Sequence, residues 1–460
     1  LKEKGETLTR YIKWAVAPLL LWLVLVGCSL DQAESTPTEP GHSAKSTNAA
    51  ASTGDSGQLE ESTRLDPVVL AEMQELQEQV ASLRGLSPLA PVARELLSQE
   101  ALKQRIQQDL LQEYPEEEAS DDARLLALFG FIPTDFDLWD FYNELYTEQV
   151  AGFYDDEDQV LYVVSGADFD GPERLTYVHE YGHALLDQHF DLDSGLGYSD
   201  EACEVDGERC EALQALIEGD ASLLEEQWLR TFASQQDFDE LIHFYNQFQS
   251  PTFDQAPAAL KESFLFPYRE GLEFVRWTFQ QGGWAGVDDV FDDPPSSTEM
   301  ILHPLRYPGD DPVQLEISAP DASALGSDWR LLDQGTLGEF DLKLLLAESL
   351  APEAAAEAAA GWAGDKYVAY YNDNDQAGAW YIVQQWDTIR DAQDTYLAWR
   401  DYGEARYGDR IPDGQAYEWE SEAGFARLEL ASNQTLWLVA PDSDVLQALR
   451  ETIQFPADRQ

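Results

Sequence analysis

The stretch YVHEYGHALLDQHF, residues 177–190, holds three of the chain's six histidines and constrains the fold more than any other feature. Asp170-Gly171-Pro172 precedes it, and proline suits the first turn of a helix. The apolar spacing that follows predicts a helix over 172–190. On that helix His179 and His183 lie one turn apart on the same face. Their imidazoles can therefore bind one cation at tetrahedral angles. Glu180 is rotated about a third of a turn from His179, so it flanks such a cation without taking the same position. His-Glu-x-x-His on a helix is among the more specific short motifs, pairing two metal ligands with a general base.

Two ligands do not complete a site. In EALQALIEGDASLLEEQ, residues 211–227, Glu218 sits among Leu213, Leu216, Ile217, Ala221, Leu223 and Leu224. A carboxylate buried there requires a partner, and a cation supplies one. Gly219 and Ala221 are small, which is expected to let this second helix approach the first closely. His189 is the competing ligand, completing the histidine count of the metzincin pattern. That pattern needs glycine where this chain has Leu186, which continues the helix and turns His189 away. With only Met73 and Met300 present, no Met-turn is evident either. His189 reads as a surface or helix-end residue, His243 as a packed helix histidine, and His42 as inert.

The pairing of this motif with Glu218 resembles the gluzincins, the thermolysin-like zinc metallopeptidases, over roughly residues 148 to 225. The resemblance implies Zn²⁺ held by His179, His183 and Glu218, with the fourth position left for water. Glu180 then serves as the base, and the substrate is a peptide or protein. It further implies that Asp187 or Asp220 accepts the free ring N–H of a ligand histidine. His303 is the first candidate to stabilise the transition state, with Tyr307 and Tyr268 behind it. Two β-prone runs, 150–154 and 160–164, flank the acidic turn Asp155–Asp158 as a hairpin, and zincins lay the substrate along such an edge strand. The chain departs from thermolysin in the 35-residue step from His183 to Glu218, which contains Cys203 and Cys210. The alternative reading is a non-catalytic surface lipoprotein with a structural or vestigial zinc site. Glu180 argues against it, because a merely structural site has no use for a base. A solute-binding lipoprotein is disfavoured, since the helical middle lacks paired α/β lobes.

At the N-terminus, Lys2, Lys4, Arg10 and Lys13 precede an apolar run from Ala15 to Val26, short for a membrane span and suited to a secretion signal. It ends Leu25-Val26-Gly27-Cys28, which resembles the bacterial lipobox and implies lipidation of Cys28. Residues 29–62 are rich in Ser, Thr, Ala, Gly and Pro and are expected to form a flexible tether. These features point to an exported protein anchored at the outer side of the cell membrane. There Cys203 and Cys210 can close a disulfide. The net charge of −60 repels nucleic acid and anionic head groups, so membrane contact is expected through the lipid alone.

The fold expected is α+β. Residues 63–310 form a helical lead-in and a mostly helical zincin-like domain with a small hairpin. Further helices are expected near 210–233, 236–249, 256–264 and 266–281. Residues 311–460 form a small C-terminal α+β domain of unknown role. Its Ala-rich helix near 341–360 precedes strands near 366–371, 379–386, 424–430 and 434–440, with helices at 388–404 and 442–453.

Overall fold

The computed structural model describes residues 67–149, 152–156, 159–164, 169–413 and 416–455. The signal and tether segments, with Cys28 and His42, lie outside the described residues. Among the described residues, no helix is long and apolar enough to cross a membrane.

The lead-in begins with α1 (Pro67–Arg84), then β1 (Ala93–Leu97), α2 (Gln99–Glu113), α3 (Glu116–Phe129) and α4 (Leu138–Gln149). The hairpin forms as expected from β2 (Gly152–Asp155) and β3 (Val160–Val164), paired antiparallel. β1 joins them parallel to β3, giving a three-stranded sheet in the order β1-β3-β2. Leu96 and Leu97 fit helical spacing in the sequence, yet they lie in this strand. The helix before them already ends at Arg84, where Gly85 takes a positive φ and donates its N–H to the Ala81 carbonyl, and the pairing that decides the conformation of Leu96 and Leu97 is with distant residues.

The site-bearing part follows as α5 (Gly171–Phe190), α6 (Asp200–Cys203), α7 (Gly207–Thr231), α8 (Gln235–Tyr245), α9 (Pro251–Gln255), α10 (Ala258–Asp292) and α11 (Thr298–Leu302). At the start of α5 the Asp170 N–H donates to Glu173 Oε2 at 3.1 Å, satisfying a donor the helix leaves over. Every residue from Leu175 to Asp187 is buried, because α1, α7 and the hairpin all pack around this helix. α10 runs through Pro267, where the sequence suggested two helices, and bends at Gly283.

Helices α7 and α10 meet backbone to backbone. A Cβ on Gly219 would stand 2.3 Å from the Gly271 carbonyl oxygen, and one on Gly271 would stand 2.0 Å from that of Ala215. Gly219 thus seats α7 against α10 rather than against α5, correcting the sequence-based expectation. The tight point between α5 and α7 is Gly182, whose added Cβ would lie 3.0 Å from Leu224 Cδ2.

The C-terminal part is built from β4 (Trp329–Gly335), α12 (Gly338–Ala347), α13 (Pro352–Ala359), β5 (Trp362–Asn372), β6 (Ala377–Trp386), α14 (Ile389–Tyr407), β7 (Ile411–Asp413), β8 (Ala416–Ser421), β9 (Gly424–Ala431), β10 (Gln434–Ala440) and α15 (Ser443–Thr452). Its seven strands are antiparallel in the order β4-β5-β6-β10-β9-β8-β7. One face is closed by α14, where Trp399 stacks on Trp437 at 4.7 Å, and the other packs against α15. The Ala-rich stretch divides into α12 and α13 because Pro352 cannot continue the first helix. The molecule is α+β, as its sequence patterning indicates.

Arg84, the last residue of α1, ties the lead-in to the centre of the molecule. It is fully buried; its Nε donates to both Asp220 oxygens at 3.0 and 2.9 Å, and its Nη1 donates to Asp288 at 2.7 Å. Its guanidinium also lies 4.4 Å from the Trp284 ring centre. Removing one member of a buried pair strands the other charge, which costs about 3–5 kcal/mol. Arg84→Met is therefore expected to destabilise the protein by that amount in denaturant titration. A loss below about 1 kcal/mol would show that the pair contributes little.

Candidate metal centre

α5 and α7 bring three ligand atoms together. His179 Nε2 lies 2.9 Å from His183 Nε2 and 3.1 Å from Glu218 Oε2, and His183 Nε2 lies 3.5 Å from the same oxygen. Four donors arranged tetrahedrally around zinc at about 2.05 Å would stand roughly 3.3 Å apart. The three separations observed bracket that value. All three residues are buried, and their donor atoms lie within 4.8 Å of one another. His179 Nδ1 is 3.1 Å from Glu225 Oε1, a partner that can take the Nδ1 proton's hydrogen bond and so leave Nε2 to present its lone pair to a metal. Two imidazole nitrogens and a carboxylate oxygen aimed at one point repel each other unless a cation joins them. The residues therefore fit a divalent metal such as Zn²⁺.

The electrostatics agree. Burial would raise the Glu218 carboxyl, but the two histidines outweigh it and bring it to about 2. Burial lowers His179, and Glu225 and Glu218 more than compensate, holding it well above its ordinary value. A field that retains a proton on a buried imidazole also favours a dication at the same point. Glu180 differs: burial pushes its carboxyl up, the histidines pull it back, and it settles at about 7. That value suits a group that must take and return a proton near neutrality. Glu180 Oε2 accepts the Tyr154 N–H from β2 at 2.8 Å, while Oε1 has no hydrogen-bond partner.

The remaining sequence candidates fall in different places. Asp187 accepts from the Tyr154 hydroxyl at 2.8 Å and from the Leu192 N–H at 3.3 Å, joining β2 to the end of α5 rather than holding a ligand ring. Asp220 is engaged by Arg84. The ring N–H acceptor expected of these two is instead Glu225, seven residues beyond Glu218. Two helical turns return it to the same face of α7, a periodicity present in the sequence but masked by the neighbouring acid Glu226. His303 sits just beyond α11 with its Nε2 2.8 Å from Glu339 Oε1, and the Tyr307 hydroxyl donates to the Asp293 carbonyl at 2.6 Å. Tyr268, placed third among the stabiliser candidates, is the one beside the centre: its ring lies 6.4 Å from that of His179. Burial, reinforced by the charges of Glu218 and Glu180, keeps its phenol protonated and able to donate. The Gly219–Gly271 contact sets this placement, since Tyr268 precedes Gly271 by one turn. His189 bonds the Ser87 carbonyl at 2.8 Å, and His243 is exposed beside Gln247 rather than packed. Cys203 and Cys210 form a disulfide.

This is a zincin-like metal-ligand cluster, consistent with a gluzincin catalytic site, and it gives the protein a zinc metalloendopeptidase-like catalytic capability. Comparison with known families places the match elsewhere in the chain: residues 329–450, which lie within the C-terminal sheet domain, match a domain of unknown function (DUF8575). No curated protein and no solved structure matches the chain.

Partners that orient ligand histidines typically contribute 10–100-fold to metal affinity. Glu225→Gln is expected to weaken zinc binding by about that factor in competition with a chromophoric chelator. An unchanged affinity would remove Glu225 from the site.

Proposed function

We propose that the protein is a lipid-anchored peptidase that hydrolyses peptide bonds of peptide or protein substrates outside the cytoplasmic membrane. The observation that carries the catalytic part is Glu180. It is almost fully buried beside the ligand cluster, and its unpartnered oxygen is of no use to a purely structural metal site. Zinc bound there would acidify a water molecule and polarise the scissile carbonyl.

The chain's own residues do the rest. Glu180 takes the proton from the attacking water and later delivers it to the leaving amine nitrogen. Tyr154 holds the other Glu180 oxygen through its N–H, which fixes the carboxylate's orientation. Among the described residues β2 pairs only with β3, and its outer edge carries that Tyr154 N–H toward α5. A substrate strand added to this edge would bring its carbonyl past Glu180. Tyr268 donates its O–H to the oxyanion that develops on that carbonyl.

Export and anchoring rest on the basic n-region, the apolar run Ala15–Val26 and the lipobox-like end at Cys28. The disulfide supports an oxidising compartment. The net charge of −60 supports a folded surface that binds neither nucleic acid nor anionic lipid.

Two variants test the catalytic roles on an unstructured protein substrate. Glu180→Gln should retain zinc, measured by elemental analysis, and lose about 10²–10⁴ in kcat. Undiminished turnover with zinc retained would remove Glu180 as the base. Tyr268→Phe should lower kcat by about 10²–10³ with KM little changed, as when an oxyanion donor is deleted. A change confined to KM would assign Tyr268 to substrate binding.

A further inference from the structure

Tyr154 is bonded to the catalytic helix at both of its ends. Its main-chain N–H donates to Glu180 Oε2 at 2.8 Å, and its phenol O–H donates to Asp187 Oδ2 at 2.8 Å. Glu180 and Asp187 stand seven residues apart on α5, so they share a face, roughly 10 Å from each other along the axis. One residue of the edge strand β2 therefore spans two turns of α5. Tyr154 and Asp187 are each only 8% exposed, so both bonds are made out of solvent.

The acceptor end is itself anchored. Asp187 Oδ1 accepts the Leu192 N–H at 3.3 Å. The Asp187 carbonyl accepts the Asp191 N–H at 2.8 Å, where Asp191 takes a positive φ and ends α5. Gln159, on the other side of the hairpin turn, donates from Nε2 to Asp187 Oδ2 at 3.3 Å. Both sides of the hairpin thus converge on one carboxylate. Burial, reinforced by the Asp187 charge, keeps the Tyr154 phenol protonated, so it remains a donor. A tyrosine side chain has only two torsions, and the span from its N–H to its O–H is correspondingly stiff. Asp187 stands outside the ligand set of His179, His183 and Glu218.

We propose that Tyr154 and Asp187 form a strut that sets the edge strand β2 against α5 and so holds Glu180 in the orientation from which it takes the proton. A single bond from the Tyr154 N–H would leave β2 free to slide or pivot on the helix. A second bond two turns away fixes both its height and its tilt. The inference rests on the peptidase reading and extends it to Asp187, a positioning residue that acts on Glu180 only through Tyr154. Displacing a reacting group by about 1 Å can cost about 10²-fold in rate, so a two-point attachment has a direct catalytic consequence. The same strut sets the height at which a substrate strand added to β2 would present its carbonyl.

A double-mutant cycle on the zinc-loaded full chain tests the strut, with an unstructured protein as substrate. Tyr154→Phe keeps the ring and the main-chain N–H and removes only the O–H, while Asp187→Ala removes the acceptor. Each should lower kcat by about 10–10²-fold, with KM little altered and zinc content unchanged. The double variant should fall little further than the more impaired single, because both changes delete the same bond. Hydrogen exchange of the peptide spanning β2, read by mass spectrometry, gives a measure independent of turnover: the amide at position 154 should lose its protection in Tyr154→Phe. Should Asp187→Ala not fold, Tyr154→Phe decides alone. A Tyr154→Phe variant that keeps wild-type kcat, or wild-type protection of that amide, would overturn the strut. Single losses that multiply in the double variant would do the same, as would a fall in kcat that tracks lost zinc. A wild type without zinc-dependent hydrolysis would contradict the peptidase reading instead, and the exchange measurement would then decide the strut by itself.

Discussion

The structure turns on three lone pairs from two helices aimed at one point inside a packed core. Burying two imidazoles and a carboxylate in mutual contact is unfavourable without a cation between them. The fold nevertheless holds them there through α5 and α7, with Glu225 fixing one ring behind the cluster. The surrounding architecture serves this constraint. Arg84 neutralises Asp220 two residues from the ligand Glu218, and the Gly219–Gly271 contact draws α10 in until Tyr268 overlooks the centre. Glu180 is kept apart from the ligand set by β2, whose Tyr154 N–H occupies one of its oxygens.

The two acidic regions on α7 are built on different principles. Around Glu218 and Glu225 the negative charge meets histidines, and the Glu218 carboxyl is held far below its ordinary value. Around Glu208, in the first turn of α7, burial and the carboxylates of Asp365 and Asp341 outweigh the hydrogen bonds from Thr298, and the direction of the shift reverses. One helix thus carries both Glu208, which lies against Gly338 at the start of α12, and the ligand Glu218.

The centre was legible where chemistry is local. His179, Glu180 and His183 follow from one helical period, and Glu218 from a charge stranded in an apolar run. The α+β class and most of the C-terminal strands were readable for the same reason. What failed depended on contacts between distant residues. β1 is a strand because β3 lies beside it, and Gly219 faces α10 because Gly271 leaves a gap there. That Tyr268 has its ring 6.4 Å from that of His179 is likewise a placement no sequence period reports. Glu225 shared a face with Glu218, but the adjacent acids Glu225 and Glu226 look the same in sequence whether solvated or buried.

Zinc-edge X-ray absorption of the full chain loaded with one equivalent of zinc reads directly which atoms surround the ion. The expected spectrum contains two imidazole scattering patterns and additional light oxygen scatterers at about 2.0–2.2 Å, with no sulfur shell. A single imidazole, a sulfur shell near 2.3 Å or an all-oxygen environment would contradict the assignment of His179, His183 and Glu218 as the ligands.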